Sequence, residues 1–267
     1  MSTKKLSKVY KINDMNNANF TDFGLSCYRV LLNLISKLQR HDLAGSPVSS
    51  DILSRKISLS ADDYAIEFQI PKTHSYQILK SATKKLMKSS FYIKTMEGLL
   101  EINVCSQALY VMDKGLIEIK FTEEIIPHLA ALSEQFTMYN LNEIAGFNSI
   151  YTTRLYELLM QYKTTGHLEI LVTNLRFSLG CNDIFDRYNN FKVKTFSHAV
   201  NEINSQFAIN LRFEELKKGR TVEKIVFTFE KTLQAKAYDQ VRQRMRTQLT
   251  KPRRKVAKDM AKITLSS

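Results

Sequence analysis

The side chains of this 267-residue chain best suited to chemistry are cations and small polar groups, set in two neighbouring clusters. In NNFKVKTFSHAVNEIN, helical spacing turns Val193, Phe196, Val200 and Ile203 inward. Lys192, Lys194, Thr195, Ser197, His198 and Asn201 are then left facing out. Two alternating β-like runs follow, with Phe207, Ile209, Leu211 and Phe213 inward in the first and Ile225, Phe227 and Phe229 in the second. The loop between them holds Lys217, Lys218, Gly219 and Arg220. A helix fits the major groove of duplex DNA, and donors on its outer face meet base edges there. A basic hairpin loop beside that helix can reach neighbouring phosphates or the minor groove. Both elements are basic and adjacent because both are expected to touch one duplex.

Other chemistries lack their spacing. Metal-dependent DNA nicking needs a His-x-His pair, and His41, His74, His128, His167 and His198 never come that close in sequence. No glycine pair forms GxxxxGK[ST], and the adjacent Asp62 and Asp63 point in different directions on a helix. Cys27, Cys105 and Cys181 are far apart and odd in number, which excludes a disulfide framework or a CxxC metal knuckle and fits a reducing cytosol. Cys181 reads as a core residue. The expectation is a binding protein with no catalytic activity, metal or cofactor.

Composition agrees: 44% hydrophobic and 24% charged residues belong to a globular protein, and a net charge of +13 favours a polyanionic partner. From Lys231 to Ser267 there are eleven Lys/Arg against two Asp/Glu, so the tail is far more basic than the body. No window reaches about 18 uninterrupted apolar residues and the N-terminal stretch has no apolar signal core. The expected location is the cytoplasm, with no membrane partner.

These clusters need elements to position them. A first helix is expected in TDFGLSCYRVLLNLISKLQR, capped by Thr21, with Tyr28, Leu31, Leu32, Ile35 and Leu38 on one face. A polar linker, HDLAGSPVSS, follows. Ser60 and Asp63 form a capping box opening a short helix through Phe68, and a second helix runs from about His74 to Lys88. The runs FYIKT, LLEINV and LIEIKF read as strands, and TEEIIPHLAAL as a helix. A second unit opens with a helix capped by Asn148 or Ser149, whose stripe is Tyr151, Leu155, Leu158, Leu159 and Tyr162 and which Gly166 ends. VTNLRFSLGCN is a shorter helix stopped near Gly180.

SYQILKSATKKLMKSSFYI and NFKVKTFSHAVNEINSQFAI form a faint internal repeat of helix, strand and hairpin. The expected fold is therefore α+β, with two tandem winged-helix domains (helix-turn-helix plus β-hairpin). The first spans residues 8–135 and the second 136–232, with a basic tail over 233–267. In the first copy Tyr76, Leu79, Ala82 and Leu86 face inward, leaving Gln77, Lys80, Lys84 and Lys88 outside. Three lysines at that spacing repel one another, and phosphates would relieve them, although a solvated face explains the stripe equally well.

TTRLYELLMQY, LRFSLG, FSHAVNEIN and KKGRTVEKIVFTF, in that order, resemble the iteron-binding plasmid replication initiators of the RepB/RepE/π type. The resemblance extends more weakly to YQILKSATKKL and covers residues 8 to 230. It implies a C-terminal domain that dominates binding to origin direct repeats (iterons), and a dimer that represses its own promoter through an inverted repeat, with consequences for plasmid copy control. It also implies that the first domain dimerises, with LLEINV and LIEIKF as candidate pairing strands. The host initiator, the replicative helicase and dimer-dissociating chaperones are the partners implied. Arg154 sits at a basic position of the motif, where it either contacts phosphate or pairs internally with Glu157. A winged-helix transcriptional repressor with no role in initiation is the alternative. The tail lies outside the resemblance; it adds DNA affinity, docks a protein, or is a solvated terminus.

Overall fold

The capping box at Ser60 forms: its hydroxyl accepts the Asp63 backbone N–H at 3.0 Å and starts a helix at Ala61. The computed structural model describes residues 7–38, 56–129, 136–207 and 209–230; the linker at 41–50 and the basic tail lie outside them. The first module contains α2 (Leu25–Lys37), β2 (Ile57–Ser60), α3 (Ala61–Glu67) and α4 (Lys72–Leu86), after an entry strand β1 (Lys8–Ile12) and a short α1 (Asn13–Asn17). β3 (Ser90–Lys94), β4 (Leu99–Asn103), β5 (Cys105–Val111) and β6 (Leu116–Phe121) complete it, with α5 (Ile126–Leu129) leading out. α2 begins four residues later than its expected cap. Thr21 is held in a turn by the Asn19 carboxamide, so Gly24 takes the cap position instead.

The strands of this module form a sheet in the order β2-β6-β5 and a separate hairpin β3-β4. The hairpin directly after α4 is thus not the wing; the wing is β5-β6. β6 (LIEIKF) is central, with β2 on one edge and β5 on the other, so its backbone groups are already paired. It cannot add a strand across a dimer axis as expected. β4 (LLEIN) pairs only with β3 among the described strands, and Leu99 and Leu100 on it are exposed.

After β7 (Phe136–Asn140) the second module repeats the design. It consists of α6 (Ile150–Gln161), β8 (His167–Leu171), α7 (Val172–Ser178), a long helix over residues 188–206, β9 (Arg212–Lys218) and β10 (Thr221–Thr228). Its sheet runs β8-β10-β9. In both modules the strand after the first helix lies at one edge and the last strand in the centre. The internal repeat is therefore topological as well as sequential. Ser149 caps α6 by accepting the Tyr151 N–H at 3.1 Å. Gly180 ends the turn after α7 at φ +70°, and a Cβ there would lie 3.2 Å from the Thr21 backbone, so no larger residue fits without displacement.

The modules are joined through a common interior. β7, where the second domain was expected to begin, pairs along its length with β1, from Lys8↔Asn140 to Ile12↔Phe136. One continuous set of buried apolar side chains runs from Val9 to Phe229. Within it lies a fully enclosed ionic cluster. The Glu157 carboxylate receives Lys11 Nζ at 2.5 Å, Arg154 at 2.9 Å and the hydroxyls of Tyr28 and Tyr139, each at 2.5 Å. Arg154 also donates to the carbonyls of Asn16, Ala18 and Ser178 at 2.6, 2.7 and 3.2 Å. Five donors in a planar fork suit a guanidinium satisfying a carboxylate and three carbonyls at once. Arg29 adds a second tie, donating at 2.8 Å to the carbonyls of both Ala145 and Phe147.

Two cations face one carboxylate here. Burial alone would raise the Glu157 carboxyl, but Lys11 and Arg154 together hold it below its usual range. Burial lowers Lys11 to about 7 from its ordinary 10.5. Between pH 7 and about 8.5 an unfolded chain keeps a proton on Lys11 that the folded protein has shed, so stability is expected to rise across that window. Above that window the sign reverses, because burial keeps the thiols of Cys27, Cys105 and Cys181, and from about pH 10 the hydroxyls of Tyr28, Tyr139 and Tyr156, protonated in the folded protein alone. Urea midpoints measured from pH 6 to 8.5 check this, and Lys11→Met should flatten the rise. A wild-type midpoint unchanged from pH 7 to 8.5 would contradict it.

Candidate nucleic-acid interface

Two aromatic contacts fix the long helix of the second module to its wing, and a third braces the helix itself. Phe196 packs edge-on against Phe191, Phe213 and Phe227, with ring centroids 5.4, 5.1 and 6.1 Å apart. Polar ties bracket this core. At the far end Asn204 bonds both the N–H and the carbonyl of Leu211 at 2.8 Å. Near the start, Glu215 on β9 accepts from Lys192 Nζ at 2.7 Å and from the Tyr188 hydroxyl at 2.8 Å. The Lys192 hydrogen bond, with a further contribution from Tyr188, holds the Glu215 carboxyl below its usual range. Before the helix, Arg176 threads the turn by donating to the carbonyls of Cys181, Ile184 and Phe185, and it lies 4.3 Å from the centre of the Phe191 ring. Cys181 is fully buried, as expected of a core residue, and burial raises its thiol to about 12.

The helix starts at Tyr188 and is not regular. Tyr188–Lys192 and His198–Gln206 are α-helical, whereas Val193–Ser197 is a π turn. The outward face accordingly differs from the one periodicity gives. Lys194, His198 and Asn201 are exposed, and Ser197 is half-buried. Thr195 is fully buried and its hydroxyl donates to the Phe191 carbonyl at 2.6 Å, so it cannot meet a base. Val193, expected inside, is exposed. Lys192 is half-buried and engaged by Glu215. His198 leans toward Glu202, 3.8 Å away, whose carboxylate also accepts the Asn148 N–H and the Thr152 hydroxyl. Arg187, Asn189 and Asn190, at and just before the first turn, are exposed as well. The expectation counted contacts only from Lys192 onward and so did not include them; the polar run DRYNN was the available signal.

Beyond Glu215 the wing projects from the helix. β9 and β10 are joined by the pair Gly219 and Arg220, with Lys218 opposite Thr221. Gly219 has φ +64°, the left-handed conformation a two-residue hairpin loop demands. Lys217, Lys218 and Arg220 are exposed, and Lys218 makes only a loose contact with Glu223 at 3.6 Å. The structure thus joins the two basic clusters through one buried aromatic core and one carboxylate.

In the first module α4 buries Leu79, Ala82 and Leu86, as expected, and half-buries Tyr76. Gln77, Lys84 and Lys88 are exposed, while Lys80 is half-buried with Nζ 4.0 Å from the Met112 sulfur. α4 starts at Lys72, two residues before the expected His74, so Lys72, Thr73 and His74 also present themselves on its first turn. Arg154 is the clear correction. It is 1% exposed and spends its donors inside the protein, so it pairs with Glu157 and touches no phosphate.

Two modules sharing one strand order, each with a partly basic helix on its surface, make this a tandem winged-helix protein. Its family follows from comparison. Residues 8–160 match the initiator replication protein WH1 model and residues 171–229 the initiator Rep protein WH2 model, and the chain belongs to this family of replication initiators. A replication initiation protein of Escherichia coli is 27% identical over 186 residues, covering 66% of this chain and 56% of that protein's length. The PI protein of Escherichia coli is 23% identical over 266 residues, covering 86% of this chain and 84% of its own. The crystal structure of Pi initiator protein in complex with iteron DNA has the same fold, with a TM-score of 0.71 and 22% identity, over 86% of this chain and all of that one.

Proposed function

We propose that this chain is a sequence-specific duplex-DNA-binding protein that initiates plasmid replication by binding direct repeats at an origin. The carrying observation is the second module's exposed helix face, with Lys194, His198 and Asn201, held beside a wing tip bearing Lys217, Lys218 and Arg220. The likeness to an initiator solved with iteron DNA supports the same reading. The helix reads base edges, the wing clamps phosphates, and the exposed residues of α4 add weaker contacts. The protein acts by binding rather than catalysis, in the bacterial cytoplasm.

A footprint of the purified protein on DNA flanking its own gene tests this. Evenly spaced protected repeats, one or two helical turns apart, are the expected result. Protection of a single inverted repeat and nothing else would leave a repressor and remove the initiation claim.

Self-association at an operator is part of the proposal. Its surface is the edge of β4, where Leu99 and Leu100 are 60% and 43% exposed. An exposed apolar edge strand favours pairing, and charge there prevents it. Leu99→Lys with Leu100→Lys is expected to shift sedimentation of the full chain toward monomer; dimers persisting at micromolar concentration would place the contact elsewhere.

A further inference from the structure

Val193 is 55% exposed on a helix whose periodicity assigns it to the buried side. The π turn is the cause. Phe191 and Phe196 are both fully buried and in contact, yet they stand five residues apart. At 3.6 residues per turn, five residues overshoot a full turn by about 140°, so a regular helix cannot bury both. The wide turn Val193–Ser197 absorbs the excess, and the buried Thr195 hydroxyl bonds the Phe191 carbonyl within it. Val193 is thereby carried to the outer face between Lys192 and Lys194. Such turns are rare and concentrate at functional sites.

Cations share this face of the module: Lys194 on the helix, Arg187 at its N-cap, and Lys217, Lys218 and Arg220 on the wing that Glu215 ties to Lys192, the residue before Val193. An exposed branched aliphatic group among exposed cations complements an anionic surface that carries apolar groups. The major groove is such a surface, with phosphates along its walls and thymine C5-methyl groups on its floor. We propose that Val193 is a specificity determinant that packs against the C5-methyl of one thymine in the bound repeat. This rests on the DNA-binding reading above and assigns it a base.

The experiment first selects the protein's preferred site from a randomised duplex library. Each thymine of that site is then replaced singly by deoxyuridine, which lacks only the methyl group. Wild-type affinity is expected to fall roughly fourfold at one position in each repeat, the value of one buried methylene-sized group. Val193→Ala, which improves helix propensity and opens no core cavity, is expected to bind the thymine site more weakly and to be indifferent to uracil at that position. Two results overturn the assignment while leaving DNA recognition intact. Either no uracil substitution weakens the wild type, or Val193→Ala remains as sensitive to uracil as the wild type. A library that yields no preferred sequence overturns the DNA-binding reading itself.

Discussion

Arg154→Ala is expected to lower the stability of the protein by about 3 to 5 kcal/mol, the usual cost of breaking a buried ion pair by removing one partner. Domains of this kind carry about 5 to 15 kcal/mol in total, so the loss removes a large share of it. The substitution withdraws donors from Glu157, from the Tyr28 oxygen and from three main-chain carbonyls, and all of these remain buried. Arg154→Lys is expected to fall in between, since an ammonium lacks the planar fork that reaches carboxylate and carbonyls together. Urea denaturation measures the stability, and the salt dependence of DNA binding by the folded protein supplies the contrast. A phosphate contact would leave the urea midpoint alone and reduce the salt slope by about 0.9. The structure requires the opposite: a large midpoint shift and an unchanged slope. Because the arginine ties α6 to the carbonyls of Asn16 and Ala18, the loss is expected to loosen the junction of the modules first.

The second large effect concerns the wing. Lys217→Ala, Lys218→Ala and Arg220→Ala combined are expected to reduce the slope of log affinity against log salt by about 2.7 if each residue neutralises one phosphate. At 0.1 M salt, relative to 1 M, this amounts to a loss of about five-hundredfold. All three side chains are exposed, and Lys218 has only the 3.6 Å contact with Glu223, so folding should be unaffected. The ratio of specific to non-specific affinity should change little, because phosphate contacts position the protein and base contacts discriminate. Lys194→Ala alone gives the comparison on the helix, where a change in sequence preference is the expected signature. An unaltered salt slope in the triple variant would place DNA on another face.

Some of this protein was legible because it depends on neighbours in the chain. Ser60 caps its helix through a residue three positions on. Ile225 and Phe227 alternate into the core as a strand with one buried face must. Gly219 takes the left-handed conformation at the tip of a basic hairpin. The edge strands β2 and β8 escaped notice because four or five residues carry little periodic signal, and each is a strand only by virtue of its pairing with β6 or β10. Thr195 and Val193 exchanged faces because the phase of the helix was set by burying both Phe191 and Phe196, the latter against the wing's own rings.

Sequence alone thus determined two helix–hairpin units, a basic helix beside a basic loop, and an expectation of a polyanionic partner. All of these follow from periodicity, turn chemistry and charge, which act over a few residues. Tertiary structure alone decided that Arg154 is internal, since its partners Tyr28, Asn16 and Ala18 lie more than 120 positions away in the chain. A charged side chain next to an acidic one reads the same in sequence on a surface or in a core. Only the desolvated meeting of β1, α2, β7 and α6 makes the pair a structural bond between two modules.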